Sequence, residues 1–154
     1  MAGPVIDKEL QATLRKAFDR AGLMRHEYVT LEHVLLALTE DPNGAKALKA
    51  CGADLRRLRK QLEEFVQERL TRLPENVSVE PRQTLAVERV LQRAAIHAIS
   101  SEMKTIDGSN VLVQLLKEDE SYAAYLLQQE GVTSFDLKRY IAHGVGTDIV
   151  PGET

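Results

Sequence analysis

An internal repeat constrains the fold of this sequence more than any other feature. A shift of 77 residues places apolar residues on apolar residues, as in the pairs Leu14–Leu91, Ala17–Ala94, Ala21–Ala98, Val34–Val111 and Leu35–Leu112. The same shift aligns Thr30 with Asp107, both of which are preferred residue types at a helix N-cap. After a two-residue insertion, a shift of 79 aligns Gly52 with Gly131. The sequence therefore predicts two copies of one supersecondary unit.

Each copy contains four segments whose apolar residues recur three and four positions apart, which is the period of one helical face. In the first copy, Asp7, Thr30 and Asp54 precede three of these segments as predicted N-caps, and Gly52 ends the short third segment. The fifth segment is predicted to bury a stripe formed by Leu85, Val90, Leu91, Ala94 and Ala98. The predicted fold class is all-α, a tandem repeat of two four-helix units.

The two units are predicted to form one domain over residues 1–154. The first unit spans about residues 7–70 and the second about residues 84–144, while the proline-containing segment of about 71–83 connects them. A single unit of roughly 60 residues has a hydrophobic core of only marginal stability. We therefore expect the two units to pack together around an approximate two-fold axis. Residues 145–154 are rich in glycine and polar residues and are predicted to begin a flexible linker.

Charge and composition exclude several classes of function. The net charge of −3 gives no reason to expect nucleic-acid binding, and the basic run at 56–60 is followed by Glu63 and Glu64. We interpret that run as a solvated helix face. No apolar run is long enough to predict a membrane span, and the first residues lack a signal-peptide core. A single cysteine, Cys51, fits a reducing, cytoplasmic location.

Two histidines and two glutamates in RHEYVTLEHVLLALTED, residues 25–41, raise the question of a metal or catalytic site. The zinc-protease pattern H-E-x-x-H fails because Thr30 stands where the second histidine is required. His26 and His33 would align only on one continuous helix, which the predicted cap at Thr30 interrupts. We therefore predict no metal site. A zinc hydrolase using His26, Glu27 and His33 is kept as an alternative from a different functional class.

No catalytic residue or cofactor is predicted within this domain. Cys51 occupies an apolar helical position and is interpreted as a buried structural thiol. The sequence contains neither a G-x-S-x-G nucleophile elbow nor a GxxxxGK[ST] phosphate-binding loop, so we do not expect it to hydrolyse ATP. Glu32 is predicted to lie in the first turn of a helix, where the helix dipole favours negative charge.

Three stretches of the sequence resemble a known family. They are residues 25–55, TLAVERVLQRAAIHA at 84–98, and AAYLLQQEGV at 123–132 with IAHG at 141–144. Together they resemble the N-terminal domain of the Clp/Hsp100 unfoldases, with the ClpA branch most similar. The ClpB and ClpC branches usually carry a glycine–histidine turn and lack the histidine–glutamate–aromatic string seen here. The resemblance covers about residues 6–144 and implies two repeated four-helix units with pseudo-two-fold symmetry.

The resemblance implies a docking function. In ClpA-like proteins this domain is tethered to two AAA+ ATPase modules, which use ATP and Mg²⁺ and form a hexameric ring. The ring unfolds proteins and passes them to the ClpP peptidase. The N-terminal domain, expected to be monomeric alone, binds the N-degron adaptor ClpS and contacts some protein substrates directly. The alternative within the family is a standalone Clp-N-like accessory protein. Neither nucleic acid nor membrane is an expected partner.

The resemblance also implies which residues face the adaptor. The family's ClpS-binding surface falls on residues from both halves of this chain, namely Glu27, Glu32, Thr84, Arg89 and Arg93. On this interpretation, Glu27 and Glu32 are docking groups rather than catalytic ones. Zinc has been associated with histidine and glutamate positions of the domain in this family, and we treat that association as incidental.

Overall fold

The computed structural model describes residues 3–144, which form eight helices and four two-residue strands. The helices are α1 Lys8–Leu23, α2 Leu31–Leu38, α3 Pro42–Ala50, α4 Leu55–Glu68, α5 Leu85–Ser100, α6 Gly108–Leu115, α7 Tyr122–Gln129 and α8 Ser134–His143. The strands are β1 Val5–Ile6, β2 Tyr28–Val29, β3 Arg82–Gln83 and β4 Thr105–Ile106. The predicted all-α fold with four helices in each repeat is confirmed. The predicted linker at 145–154 lies outside the described residues.

The predicted N-caps begin the helices as expected. The side chains of Asp7, Thr30, Asp54 and Asp107 each accept a hydrogen bond from the backbone N–H three residues further on. Each such bond satisfies one of the donors that a helix start leaves open and contributes about 1 kcal/mol of stability. The helix starts are therefore set locally by the sequence.

Two short parallel strand pairs join the repeats. β1 pairs with β4, with Val5 opposite Thr105, and β2 pairs with β3, with Tyr28 opposite Arg82. The 77-residue shift converts the first pair into the second, because it moves β1 onto β3 and β2 onto β4. The structure therefore has two pseudo-symmetric junctions, each built from both repeats. We call them the β1–β4 seam and the β2–β3 seam.

One hydrophobic core runs through both repeats. All eight residues of α2 and all eight of α6 are buried, so these two helices form its centre. Around them α3 packs on α6 and α8, whereas α7 packs on α2 and α4, so each repeat covers the other. The fully buried leucines are shared between the halves, and each contributes about 1.5–3 kcal/mol by leaving water.

Polar contacts also cross between the repeats. The Nε of Arg57, from the predicted solvated basic run, lies 2.7 Å from the Oε2 of Glu130 in the second repeat. The hydrogen bond from Arg57 holds the pKa of Glu130 below its usual value. Arg57 remains 59% exposed, so only the Glu130 end of this pair is shielded from water. The basic run therefore includes a contact between the repeats as well as solvated charge.

One predicted core position is wrong. Leu85 was expected in the buried stripe of α5, but its side chain is 73% exposed. It is the first residue of the helix, directly after the N-cap Thr84, and its side chain faces the β2–β3 seam. The buried stripe begins instead at Val87. Among residues 3–144, no helix has the length and apolarity needed to cross a bilayer.

Candidate docking surface

Backbone pairing at the β2–β3 seam places Glu27 and Thr84, which come from different repeats, at the two ends of one strand pair. The backbone N–H of Arg82 donates to the carbonyl of Glu27 at 3.1 Å, and that of Thr84 donates to the carbonyl of Val29 at 3.1 Å. Thr84 then begins α5 as its N-cap. The positions of both predicted residues therefore follow from the same pair of strands.

Charged and aromatic side chains cover this seam. Glu27 is exposed, and its Oε2 lies 3.9 Å from the Nη2 of Arg82. The Arg82 guanidinium lies 5.9 Å from the centre of the Tyr28 ring, which is also exposed. A cleft of about 590 Å³ beside them is lined by Tyr28, Arg82, Gln83, Thr84, Leu85, Ala86 and Arg89. We call the surface formed by Glu27, Tyr28, Arg82, Thr84, Leu85 and Arg89 the docking surface.

Glu118 fixes the two predicted arginines at the edge of this surface. The Nη2 of Arg89 lies 2.6 Å from the Oε1 of Glu118, and the Nη2 of Arg93 lies 2.8 Å from its Oε2. The hydrogen bond from Arg89, followed by that from Arg93, holds the pKa of Glu118 below its usual value against the effect of burial. Arg93 also donates to the carbonyl of Gln114 at 3.0 Å.

The two arginines differ in what they can offer a partner. The Arg93 side chain is 32% exposed and its donors serve Glu118 and Gln114, whereas that of Arg89 is 53% exposed. Arg89 can therefore contact a docked protein directly, and Arg93 holds Glu118 in place behind it. Glu118 could not be identified from the sequence, because the only signal, an acid shortly after α6, does not show which helix it faces.

The structure gives Glu32 a position that does not suit the expected docking role. It is 7% exposed, and its Oε2 accepts a hydrogen bond of 2.9 Å from the backbone N–H of Ala123 at the start of α7. The first turn of α2 is buried because α2 lies at the centre of the core that the two repeats share. The carboxylate of Glu32 thus links the first repeat to the second, and we leave it out of the docking surface.

His26 and His33 meet although no continuous helix carries both, contrary to the interpretation of the sequence. The Nδ1 of His26 lies 2.9 Å from the Nε2 of His33. The backbone N–H of Thr30 donates to the Nδ1 of His33 at 2.9 Å, so that nitrogen is an acceptor and the proton of a neutral His33 is on Nε2. His33 then donates to His26, whose own proton is on Nε2, a buried atom with no hydrogen-bond partner.

Burial keeps these histidines neutral. Burial, followed by the charges of His26 and Arg20, lowers the pKa of His33 to about 4. Burial and then the charge of Arg72 lower the pKa of His26. Three of the four ring nitrogens are hydrogen-bonded, and Glu27 is exposed at the seam instead of facing the pair. Across residues 3–144, no three His, Cys, Asp or Glu side chains are grouped to hold a metal ion.

Cys51 has the properties expected of a structural thiol. Its side chain is buried in the core. Burial raises its pKa to about 11, so the thiolate that acts as a nucleophile is scarce at neutral pH.

Comparison with known proteins identifies the family to which this chain belongs. Residues 6–130 match the Clp repeat (R) N-terminal domain, and this chain belongs to that family. It is 43% identical over 152 residues to a ClpA homolog protein of Fuscovulum blasticum, covering 98% of this chain and 19% of that protein. The chain thus spans about a fifth of the length of this curated relative.

Solved structures show the same fold at low sequence identity. The N-terminal domain of Hsp104 from Candida albicans has a TM-score of 0.74 and 12% identity, covering 92% of this chain and 93% of that one. A ClpV N-domain in complex with a VipB peptide has a TM-score of 0.71 and 20% identity, with coverage of 90% and 85%. The resemblance to Clp/Hsp100 N-terminal domains is therefore confirmed.

Proposed function

We propose that this chain is the adaptor-docking N-terminal domain of a ClpA-type unfoldase and that it binds ClpS through the docking surface. The observation that carries the proposal is the β2–β3 seam, which has Glu27 at one end and Thr84 at the other, with Arg89 in the adjoining cleft. Three of the five predicted adaptor-binding residues thus share one exposed surface. Two repeats are needed to build it, so neither repeat alone would bind.

The pseudo-symmetric counterpart of this surface has different chemistry. At the β1–β4 seam, Lys104 occupies the position of Glu27, and Val5 and Ala12 occupy those of Arg82 and Arg89. A partner whose charges complement the docking surface would therefore meet like charge at Lys104 and no guanidinium groups. Since charge complementarity sets orientation and association rate, it favours one of the two seams.

The same proposal also says what would happen to a protein after it docks on this domain. Docked cargo would pass to AAA+ modules that use ATP and Mg²⁺, and from their ring to ClpP, in the cytoplasm. The domain itself would perform no chemistry. The ClpV N-domain was solved with a VipB peptide, which supports peptide segments of protein substrates as further partners of this fold.

Charge changes on the docking surface are expected to weaken ClpS binding. Glu27→Lys reverses the charge at an exposed position. Arg89→Gln removes the exposed guanidinium, while Arg93 still pairs with Glu118. We expect each variant to bind ClpS about tenfold more weakly, because opposed or missing charge costs about 1.4 kcal/mol at a contact of this kind. Isothermal titration calorimetry with purified ClpS measures the affinity, and circular dichroism checks that helicity is retained.

Lys104→Glu is the matched control, because Lys104 is the counterpart of Glu27 at the other seam. It should bind ClpS as the wild type does. Unchanged binding by both docking-surface variants would remove the proposed surface. Weaker binding by Lys104→Glu alone would move the site to the β1–β4 seam.

A further inference from the structure

Arg25 has a backbone conformation that is unusual for its residue type. It directly follows the C-cap of α1, Met24, and its φ is 60°. A glycine most often occupies this position after a helix, because side chains disfavour left-handed backbone. The backbone alone would therefore favour glycine here, but an arginine can add contacts that glycine lacks.

The Arg25 side chain holds the loop that links the two repeats. Its Nε donates to the carbonyl of Leu73 at 3.2 Å, and its Nη2 donates to the carbonyls of Pro74 and Val77. The backbone N–H of Leu73 donates in return to the carbonyl of Arg25 at 2.8 Å. Arginine suits this task because its planar group presents several donors in a fixed geometry.

The held loop leads directly into the docking surface. Residues 73–82, which we call the linking loop, run from the Arg25 contacts to Arg82 in β3. A cleft of about 500 Å³ is lined by Glu27, Leu73, Val77, Ser78, Val79, Glu80 and Arg82. One wall of this cleft is therefore the linking loop and the other carries Glu27, a residue of the docking surface.

We propose that Arg25 is a positioning residue for the docking surface, because its guanidinium clamps the linking loop and so fixes Arg82 and the cleft next to Glu27. This inference rests on the proposed function. Arg25 itself need not touch the partner. If the clamp were lost, the loop would sample other positions and only a fraction of the molecules would present the complete surface, which lowers the apparent affinity by that fraction.

The second repeat provides a matched control. Glu102 is the counterpart of Arg25 under the 77-residue shift and has nearly the same left-handed backbone, with φ 56°. Within residues 3–144, its exposed side chain makes no hydrogen bond or ion pair. Glycine at either position relieves the strain of the left-handed backbone, but only Arg25→Gly removes side-chain contacts.

The test compares Arg25→Gly, Arg25→Lys and Glu102→Gly. Amide hydrogen exchange at Leu73 and Arg82 reports the order of the linking loop and of β3, and calorimetric titration with ClpS reports docking. We expect both Arg25 variants to exchange these amides at least about tenfold faster and to bind ClpS about tenfold more weakly. Arg25→Lys keeps the positive charge, so its loss of affinity would exclude a purely electrostatic effect. Glu102→Gly should match the wild type in both measurements.

The outcomes separate this inference from the proposed function. Exchange at Leu73 and Arg82 that stays at the wild-type rate in Arg25→Gly would overturn the clamp. Faster exchange with unchanged ClpS affinity would show that the clamp does not position the docking surface, and would overturn the inference equally. If the wild type itself does not bind ClpS, the proposed function fails, while the exchange rates still decide whether Arg25 fixes β3 and its cleft. If Arg25 only stabilised the fold, its replacement would lower the urea midpoint of unfolding. If Arg25 positions the docking surface, its replacement lowers the affinity for ClpS while the midpoint is retained.

Discussion

Gly44→Ala is expected to destabilise the domain by about 3 kcal/mol or more, because the added methyl group would collide with backbone that is unable to move. A Cβ at Gly44 would lie 2.5 Å from the carbonyl oxygen of Leu38, the last residue of α2. Leu38 is fully buried at the centre of the core. The N–H of Gly44 also donates to the Oδ2 of Asp41 at 2.8 Å, so moving α3 away would stretch the hydrogen bond that caps it.

Gly22→Ala is the control for this prediction. Gly22 lies within α1, and the nearest atom to an added Cβ is the Cγ of Pro81 at 3.7 Å, an ordinary contact. Alanine should stabilise this position by about 0.5–1 kcal/mol, because glycine lowers helix stability. Urea unfolding followed by circular dichroism measures both variants. A Gly44→Ala midpoint equal to that of the wild type would contradict the close approach of α3 to α2.

Acid is expected to destabilise the domain through His33, and His33→Asn should reduce that effect. The unfolded chain takes up a proton at His33 near pH 6.5, but the folded protein resists it until about pH 4. The unfolded state therefore binds more protons between these values, and stability falls as the pH falls from about 6.5 to about 4. The His33 contribution to this fall is about 3 kcal/mol in the free energy of unfolding.

The second repeat shows why asparagine is the appropriate replacement. Asn110 is the counterpart of His33, and its Oδ1 accepts a hydrogen bond of 2.8 Å from the N-cap backbone of Asp107. That contact reproduces the bond from Thr30 to His33 without a titrating group. His33→Asn should therefore retain the cap and show a shallower loss of stability in acid.

Urea unfolding of the wild type and His33→Asn at pH 7, 5.5 and 4.5 tests this expectation. His97→Asn, on the exposed face of α5, is the control for replacing a histidine and should follow the wild type. Acidic side chains contribute equally to the pH dependence of both proteins, so the difference between the variants isolates His33. An identical pH dependence in His33→Asn and the wild type would show that the histidine pair does not resist protonation.

Much of the fold could be predicted because its determinants are local or repeat along the chain. The N-caps at Asp7, Thr30, Asp54 and Asp107 act within three residues of themselves, so each helix start can be identified from a few letters. The 77-residue repeat then predicts two equivalent units without any knowledge of how they pack.

The contacts between the repeats could not be predicted in the same way. A strand such as β2 has only two residues, too few to show the alternating pattern that identifies strands, and its partner β3 lies far along the chain. The same limit explains Glu32 and Leu85. A first-turn glutamate is usually exposed and an apolar residue in a helix usually buried, but the central position of α2 and the open seam beside α5 reverse both expectations.

The candidate site was predicted in part. The resemblance supplied Glu27, Thr84 and Arg89, and the structure places them around one seam, although their binding role stays a prediction. The sequence does carry a signal at Arg25, since this residue stands directly after a helix, where glycine is common. What holds the surface in place depends on long-range contacts from Arg25 and Glu118, and single-sequence patterns do not show those.

Mapping the ClpS contact on the isotopically labelled domain tests the central claim most directly. Amide chemical shifts are recorded while unlabelled ClpS is added, and each seam reports on one possible docking site. We predict changes confined to residues 25–35 and 80–95, which surround the β2–β3 seam. Changes centred on β1 and β4, or no changes at ClpS concentrations that saturate a ClpA-type partner, would contradict the account.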